Sequence, residues 1–199
     1  MAEVSEAINE ALEKARESKL NTVVAACVAV IATFMSLCSV KAGNIVQQMQ
    51  QASASSVDSW SYYQAKSTKE NLAQASADQL VVQRDLAVNL TPEQSKKLDD
   101  AIQKQTAATK RYEKEKDEIK TKAEGYEAQF KALDVHNDQF DMAEATLSVT
   151  LALLGVTALT QKRWMLAVAG VFASFGLFMG VCGFAKLGFH PDFVARFLS

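Results

Sequence analysis

The side chains in this chain best equipped for chemistry are an aromatic and basic run between Asp58 and Leu72, three cysteines and two histidines. In the run, Trp60, Tyr63 and Ser67 recur at helical spacing on one face, and Tyr62, Lys66 and Lys69 share another. Lys66 follows Tyr62 by four residues, which predicts a cation–aromatic pair of about 0.5–1 kcal/mol. Two roles fit these residues. They are knobs between packed helices with one exposed edge, or Tyr62 and Lys66 form a contact for a partner or a second copy. Trp60, Tyr62, Tyr63, Lys66 and Lys69 are therefore the candidate interaction residues.

Reactive chemistry is thinly supported. Cys27, Cys38 and Cys182 all fall in apolar stretches, and Cys27 and Cys38 lie three turns apart on one helix face. With no thiol in the polar middle of the chain there is no disulfide framework or zinc cluster to read. Small packing residues is the simpler reading, and a redox or cofactor role the rival. His136 stands among Asp134, Asn137 and Asp138, and His190 within Gly188–Asp192. Neither has a second His or Cys at ligand spacing, although a pH-sensing contact at His136 is conceivable. Glycine-rich phosphate loops, G-x-S-x-G elbows and H-E-x-x-H motifs are missing. The expectation is a non-enzyme without catalytic residues, cofactor or metal.

The elements that position these residues follow from how charge is distributed. The 199 residues carry a net charge of −2, so no basic surplus points to nucleic acid. Charge is concentrated in residues 1–20 and 58–141 and nearly absent from 20–40 and 145–185. Such segregation marks a membrane protein with a soluble helical insert. Leu20–Val40 is uncharged and, at about 1.5 Å per residue, long enough to cross about 30 Å of hydrocarbon. A cleaved signal peptide is the rival reading; the long, net acidic stretch before it favours a retained anchor.

Two further spans, 145–160 and 164–185, are joined only by Gln161-Lys162-Arg163, which forces a tight hairpin. Small residues mark one face of each: Ala145, Ser148, Ala152 and Gly155 on the first, and Ala169, Ala173, Gly176, Gly180 and Gly183 on the second. They predict close helix packing, within the hairpin or between copies. Lys14, Arg16 and Lys19 before the first span, with Lys162 and Arg163 between the others, place the N-terminus and the short loop in the cytoplasm.

Residues 41–144 predict an extramembrane antiparallel helical hairpin. Leu98, Gln105, Tyr112, Ile119, Tyr126, Leu133, Phe140 and Leu147 recur every seven residues, and Ile102, Thr109, Ala123 and Phe130 fill the half-steps. That pattern is a coiled-coil stripe. Thr91-Pro92-Glu93-Gln94 reads as a helix start with a capping box, so the turn falls near 89–93. Equal arms then bring Leu80 opposite Ile102 and Trp60 between Ile119 and Ala123. The run Lys110–Glu118 alternates in sign and reads as a solvated surface. The ascending arm, with Gln47–Ser56 small and uncharged, offers a thin stripe, and this deficit points to further packing against other copies.

The ends read as amphipathic membrane-surface segments. Val4, Ile8, Leu12 and Ala15 stripe residues 1–19, and Phe189, Phe193 and Phe197 stripe residues 186–199.

The run Trp60–Lys69 (W-S-Y-Y-Q-A-K-S-T-K), followed by a helical segment and a paired hydrophobic hairpin, resembles a bacterial family of membrane proteins known as a domain of unknown function (DUF4337). The resemblance implies an integral bacterial membrane protein and supplies no activity. The expected fold is all-α, with three transmembrane helices and a long coiled-coil hairpin between the first and second. The expected role is a self-associating scaffold or interaction protein in the inner membrane with the hairpin in the periplasm, its partners being lipid and copies of itself. The alternative is an accessory subunit of a larger transport, channel or secretion assembly.

Overall fold

In the computed structural model the backbone is described for residues 2–189 and the side chains for Lys14 and residues 19–189. The apolar stripe expected for 1–19, and Phe193, Phe197 and His190 of the segment expected for 186–199, lie outside the described side chains, while Phe189 is described and exposed. Three helices account for the fold, α1 (Ala2–Leu86), α2 (Pro92–Thr160) and α3 (Arg163–Ala185), with no strand among the described residues. Each contains a stretch long and apolar enough to cross a membrane. The chain divides into two units, Met1–Gln48 with Ala132–Ser199, and Met49–Lys131.

In the first unit α1, α2 and α3 pack together. Asn21 meets Gln161, and Met35 meets Ser148, so α1 and α2 run antiparallel here. Val24, Ile31, Leu147, Leu154 and Ala169 form one core, and Met142, Ala143 and Met179 a second with Phe175 against it. Gln161 closes the α2–α3 turn in the left-handed region (φ 56°), and its side-chain amide donates to the Ala158 carbonyl and to Asn21. Lys186 ends α3 in the same region (φ 53°), where its N–H and that of Leu187 reach the carbonyls of Gly183 and Cys182. These bonds satisfy the last turn of α3.

In the second unit α1 and α2 form an antiparallel pair. Partners fall on α2 as they rise on α1: Trp60 with Glu127, Lys66 with Glu115, Arg84 with Asp99. Asn89 (φ 66°) makes the bend, a conformation asparagine tolerates better than most residues. The capping box before Pro92 forms in both directions: the Thr91 N–H donates to Gln94 Oε1 at 3.0 Å, and the Gln94 N–H to Thr91 Oγ1 at 3.2 Å.

The seven-residue beat on α2 turns inward almost throughout this unit, with Ile119 and Ala123 buried and Tyr126 the exception at 36% exposed. The α1 seam is built mostly from small residues. Ala52, Ser56, Ala73 and Ala77 are buried, with Ser59, Tyr63, Lys66, Glu70 and Leu80 half-buried at the same period. This α1 seam has the same heptad, written in small residues and charges. Val57 (62% exposed) and Leu72 (67%) lie at its edges, each lining an open groove with residues of α2, and Val82 (54%) is exposed.

Candidate functional site

The inward positions of α1 and α2 carry three charged residues in their middle turns. Lys66 and Glu70 stand on the α1 beat between Ser59 or Tyr63 and Ala73 or Ala77, and Lys116 on the α2 half-step between Thr109 and Ala123. Each alone would be a half-buried charge without compensation. Folding sets each opposite its complement. Lys66 Nζ donates to Glu115 Oε2, and Lys116 Nζ donates to Glu70 Oε2 at 2.7 Å.

Aromatic rings enclose the pairs. Lys66 lies 5.1 Å from the Tyr62 ring centroid and 5.5 Å from that of Tyr112, and Lys116 lies 5.9 Å from that of Tyr63. Arg111 stacks on the outer side of Tyr112 at 4.8 Å and approaches Glu115 Oε1 at 3.6 Å. The hydrogen bond from Lys66 holds the Glu115 carboxyl below the ordinary carboxylate range. The reciprocal bonds raise Lys66, through Glu115 and then Tyr62, and Lys116, through Glu70.

Of the candidate residues, Tyr62, Tyr63 and Lys66 therefore come together around the ionic layer. Trp60 reaches Glu127, one turn beyond Ala123 on α2. Its indole N–H donates to Glu127 at 2.7 Å while its ring meets Tyr63 edge-on at 5.5 Å, further along α2 than equal arms imply. Lys69 stays exposed beside an open groove lined by Leu72, Ala73, Ser76, Gln105 and Tyr112. Glu70, Glu115 and Lys116 were the residues sequence reasoning passed over, the last two because the charge run 110–118 reads as solvent-facing. The signal that finds them is position: Lys116 and Glu70 fall on the inward beat of their helices.

In the first unit the small residues sort unequally. Gly176, Gly180 and Gly183 are buried, and a methyl group at each would collide with a side chain of another helix. Its Cβ would stand 2.6 Å from Thr146 Oγ1 at Gly176, 2.6 Å from the Phe34 ring at Gly180 and 2.8 Å from the Phe140 ring at Gly183. The Phe34 and Phe140 rings also meet Phe184 edge-on, at 6.2 Å and 5.1 Å. Ala169 is buried and Ala173 half-buried on the same face. On α2, Ala145 is half-buried and Ser148, Ala152 and Gly155 are exposed, and the face covered within this chain is Leu147, Thr150, Leu154 and Thr157. The hydroxyls of Thr150 and Thr157 donate to carbonyls one turn back, which lets these polar side chains sit inside. Cys38 and Cys182 are buried and Cys27 half-buried, none in a disulfide, with Cys38 Sγ against Gly180.

Gln139, fully buried, ties the segment after α3 back to α2. Its amide nitrogen donates to the Leu187 and Phe189 carbonyls at 2.7 and 2.6 Å, and its oxygen faces His136 Nδ1 at 3.2 Å. Among the described residues no cluster of His, Cys, Asp and Glu could hold a metal ion.

Residues 20–186, which take in the ionic layer and the glycine face, match the family described as Domain of unknown function (DUF4337). The chain belongs to this family. The Trp60–Lys69 run that carries the family resemblance is thus the same segment that supplies Tyr62, Tyr63 and Lys66 to the ionic layer. No curated protein and no solved structure matches the chain.

Proposed function

We propose that this protein is a non-enzymatic, membrane-anchored coiled-coil scaffold that self-associates. Its three apolar helix stretches cross the bacterial inner membrane, with the N-terminus and the 161–163 loop cytoplasmic and the hairpin periplasmic, as the lysine and arginine positions favour. The observation that carries the reading is the use made of the aromatic and basic run. Its cationic and phenolic groups are committed to the facing helix, Lys66 to Glu115 beneath Tyr62 and Tyr112. A one-heptad slip would break Lys66–Glu115 and Glu70–Lys116 together and leave charges inside the seam unpaired, a strongly unfavourable state. The layer therefore specifies register, the best-attested use of polar groups in a coiled-coil seam.

Light scattering of the full chain in mild detergent tests the reading, with a protein mass at a multiple of 21.7 kDa expected. A strict monomer, with no cross-linked copy recovered from membranes, would sink it. Stoichiometric co-purification of a different membrane protein would replace it with the accessory-subunit role.

A further inference from the structure

The first unit is polarised by charge along its length. Its described acidic side chains, Asp134, Asp138, Asp141 and Glu144, all lie on α2 before the apolar stretch, and residues 19–48 and 145–189 contain none. At the other end of that stretch, about 24 Å of helix from Glu144, the chain gathers cations. The 2.9 Å hydrogen bond from the Gln161 amide to Asn21 Oδ1 draws the α2–α3 turn against α1. Lys19, Lys162 and Arg163 each stand within two residues of one end of that bond, and all three are exposed. No acidic side chain among the described residues pairs with them. Counting the segment before the first apolar stretch, residues 13–19 and 161–163 hold five cations against Glu13 and Glu17.

We propose that this end of the three-helix unit binds the phosphate of an anionic phospholipid. The inference goes beyond the scaffold reading and rests only on its membrane anchorage, whichever face of the membrane the turn occupies. Apolar surface beside the cations argues for a lipid over a soluble anion: Leu159 is 86% exposed and Trp164 64%, on either side of the turn. Cations next to bare apolar side chains are the complement of an amphiphile, whose phosphate meets the first and whose chains meet the second. Trp164 also marks the depth, since tryptophan collects where hydrocarbon gives way to headgroups. The Ala158 carbonyl, which would repel a phosphate, is taken up by the Gln161 amide at 2.6 Å. α3 begins in the same turn with no side-chain cap, so its opening N–H groups add the positive end of a helix dipole to the three cations.

Native mass spectrometry of the full chain in mild detergent tests this, with phosphatidylglycerol or phosphatidylcholine of matched acyl chains added. Phosphatidylglycerol should be retained in preference, and inorganic phosphate in large excess should not displace it. Each cation near a membrane surface changes affinity about fivefold, so Lys19→Gln should weaken retention about fivefold and Lys162→Gln with Arg163→Gln about 25-fold. Lys41→Gln with Lys186→Gln, which strips two cations from the opposite end of the unit, should leave retention as it was. Circular dichroism should give all variants the helix content of the parent. Equal losses from the two double variants would overturn the site, because any cation near the headgroups would then serve. So would equal retention of the two lipids, with the membrane anchorage left standing. Displacement by inorganic phosphate would overturn the lipid as occupant. A full chain recovered from cells in solution, without detergent, would overturn the anchorage and this inference together.

Discussion

Gly176, Gly180 and Gly183 illustrate how a single hydrogen atom in place of a methyl decides packing. Each lets another helix press a side chain onto backbone, in a setting where association depends on close contact more than on release of water. Gly155 is the control, with nothing near its missing Cβ. Gly176→Val, forced against Thr146 and Leu147, should lower stability by about 1–3 kcal/mol. Gly155→Ala should raise it by about 0.5–1 kcal/mol through helix propensity alone. Thermal unfolding of the two variants in detergent checks the contrast; equal shifts would mean the three glycines serve no packing role. The glycines on α3 were readable as small positions recurring over several turns, whereas the same spacing on α2 marks a face that this chain leaves exposed. Small residues on an exposed face and small residues on a packed face look alike in sequence, and Ala152 differs from Ala169 only in what stands opposite.

At the scale of elements, the hairpin rests on local signals at its turn and on distant pairs in its arms. The turn was the more legible. Thr91, Pro92 and Gln94 announce a helix start within four residues, and both expected bonds are present. Thr91→Ala should cost about 0.5–2 kcal/mol of hairpin stability, measured by hydrogen exchange in the first turn of α2. The arms were half legible. Large residues such as Ile119 and Phe130 advertise the α2 seam, whereas Ala52, Ser56, Ala73 and Ala77 hide the α1 seam, because alanine and serine are equally at home outside.

The ionic pairs also give the hairpin a defined response to pH. Glu115 is held below its ordinary value, so its contribution is present above the ordinary carboxylate range and is lost as pH falls through the lowered value. Lys66 and Lys116 are raised, so theirs is present below the ordinary lysine range and lost as pH rises through the raised values. Hairpin melting should therefore be flat across neutral pH and fall at both extremes, and Lys66→Met with Glu115→Leu should flatten much of the acid limb. Circular dichroism melts across pH would show it; an unchanged acid limb in the double variant would remove the pair from the account.

For the whole molecule, the charges turned inward hold the hairpin together through Lys66–Glu115 and Lys116–Glu70. Salt should then have little purchase on the hairpin, because screening acts most on exposed charges and Lys116 and Glu70 are largely covered. Circular dichroism melts at low and high ionic strength should return one midpoint. A salt-driven drop would mean that the charged outer face of α2 holds the hairpin instead.

The period of seven on α1 has one more effect. A straight helix repeats every 3.6 residues, so a stripe that keeps strict sevens drifts about 20° per heptad around its axis. Ala52 to Leu80 covers four heptads, which adds up to roughly 80° of rotation. The seam toward α2 keeps this period, so it must wind with a left-handed twist. A rigid straight rod laid on the seam would lose contact within a few turns. Only another helix free to coil with the same hand can follow it along its length, so handedness selects the partner here before any side chain does.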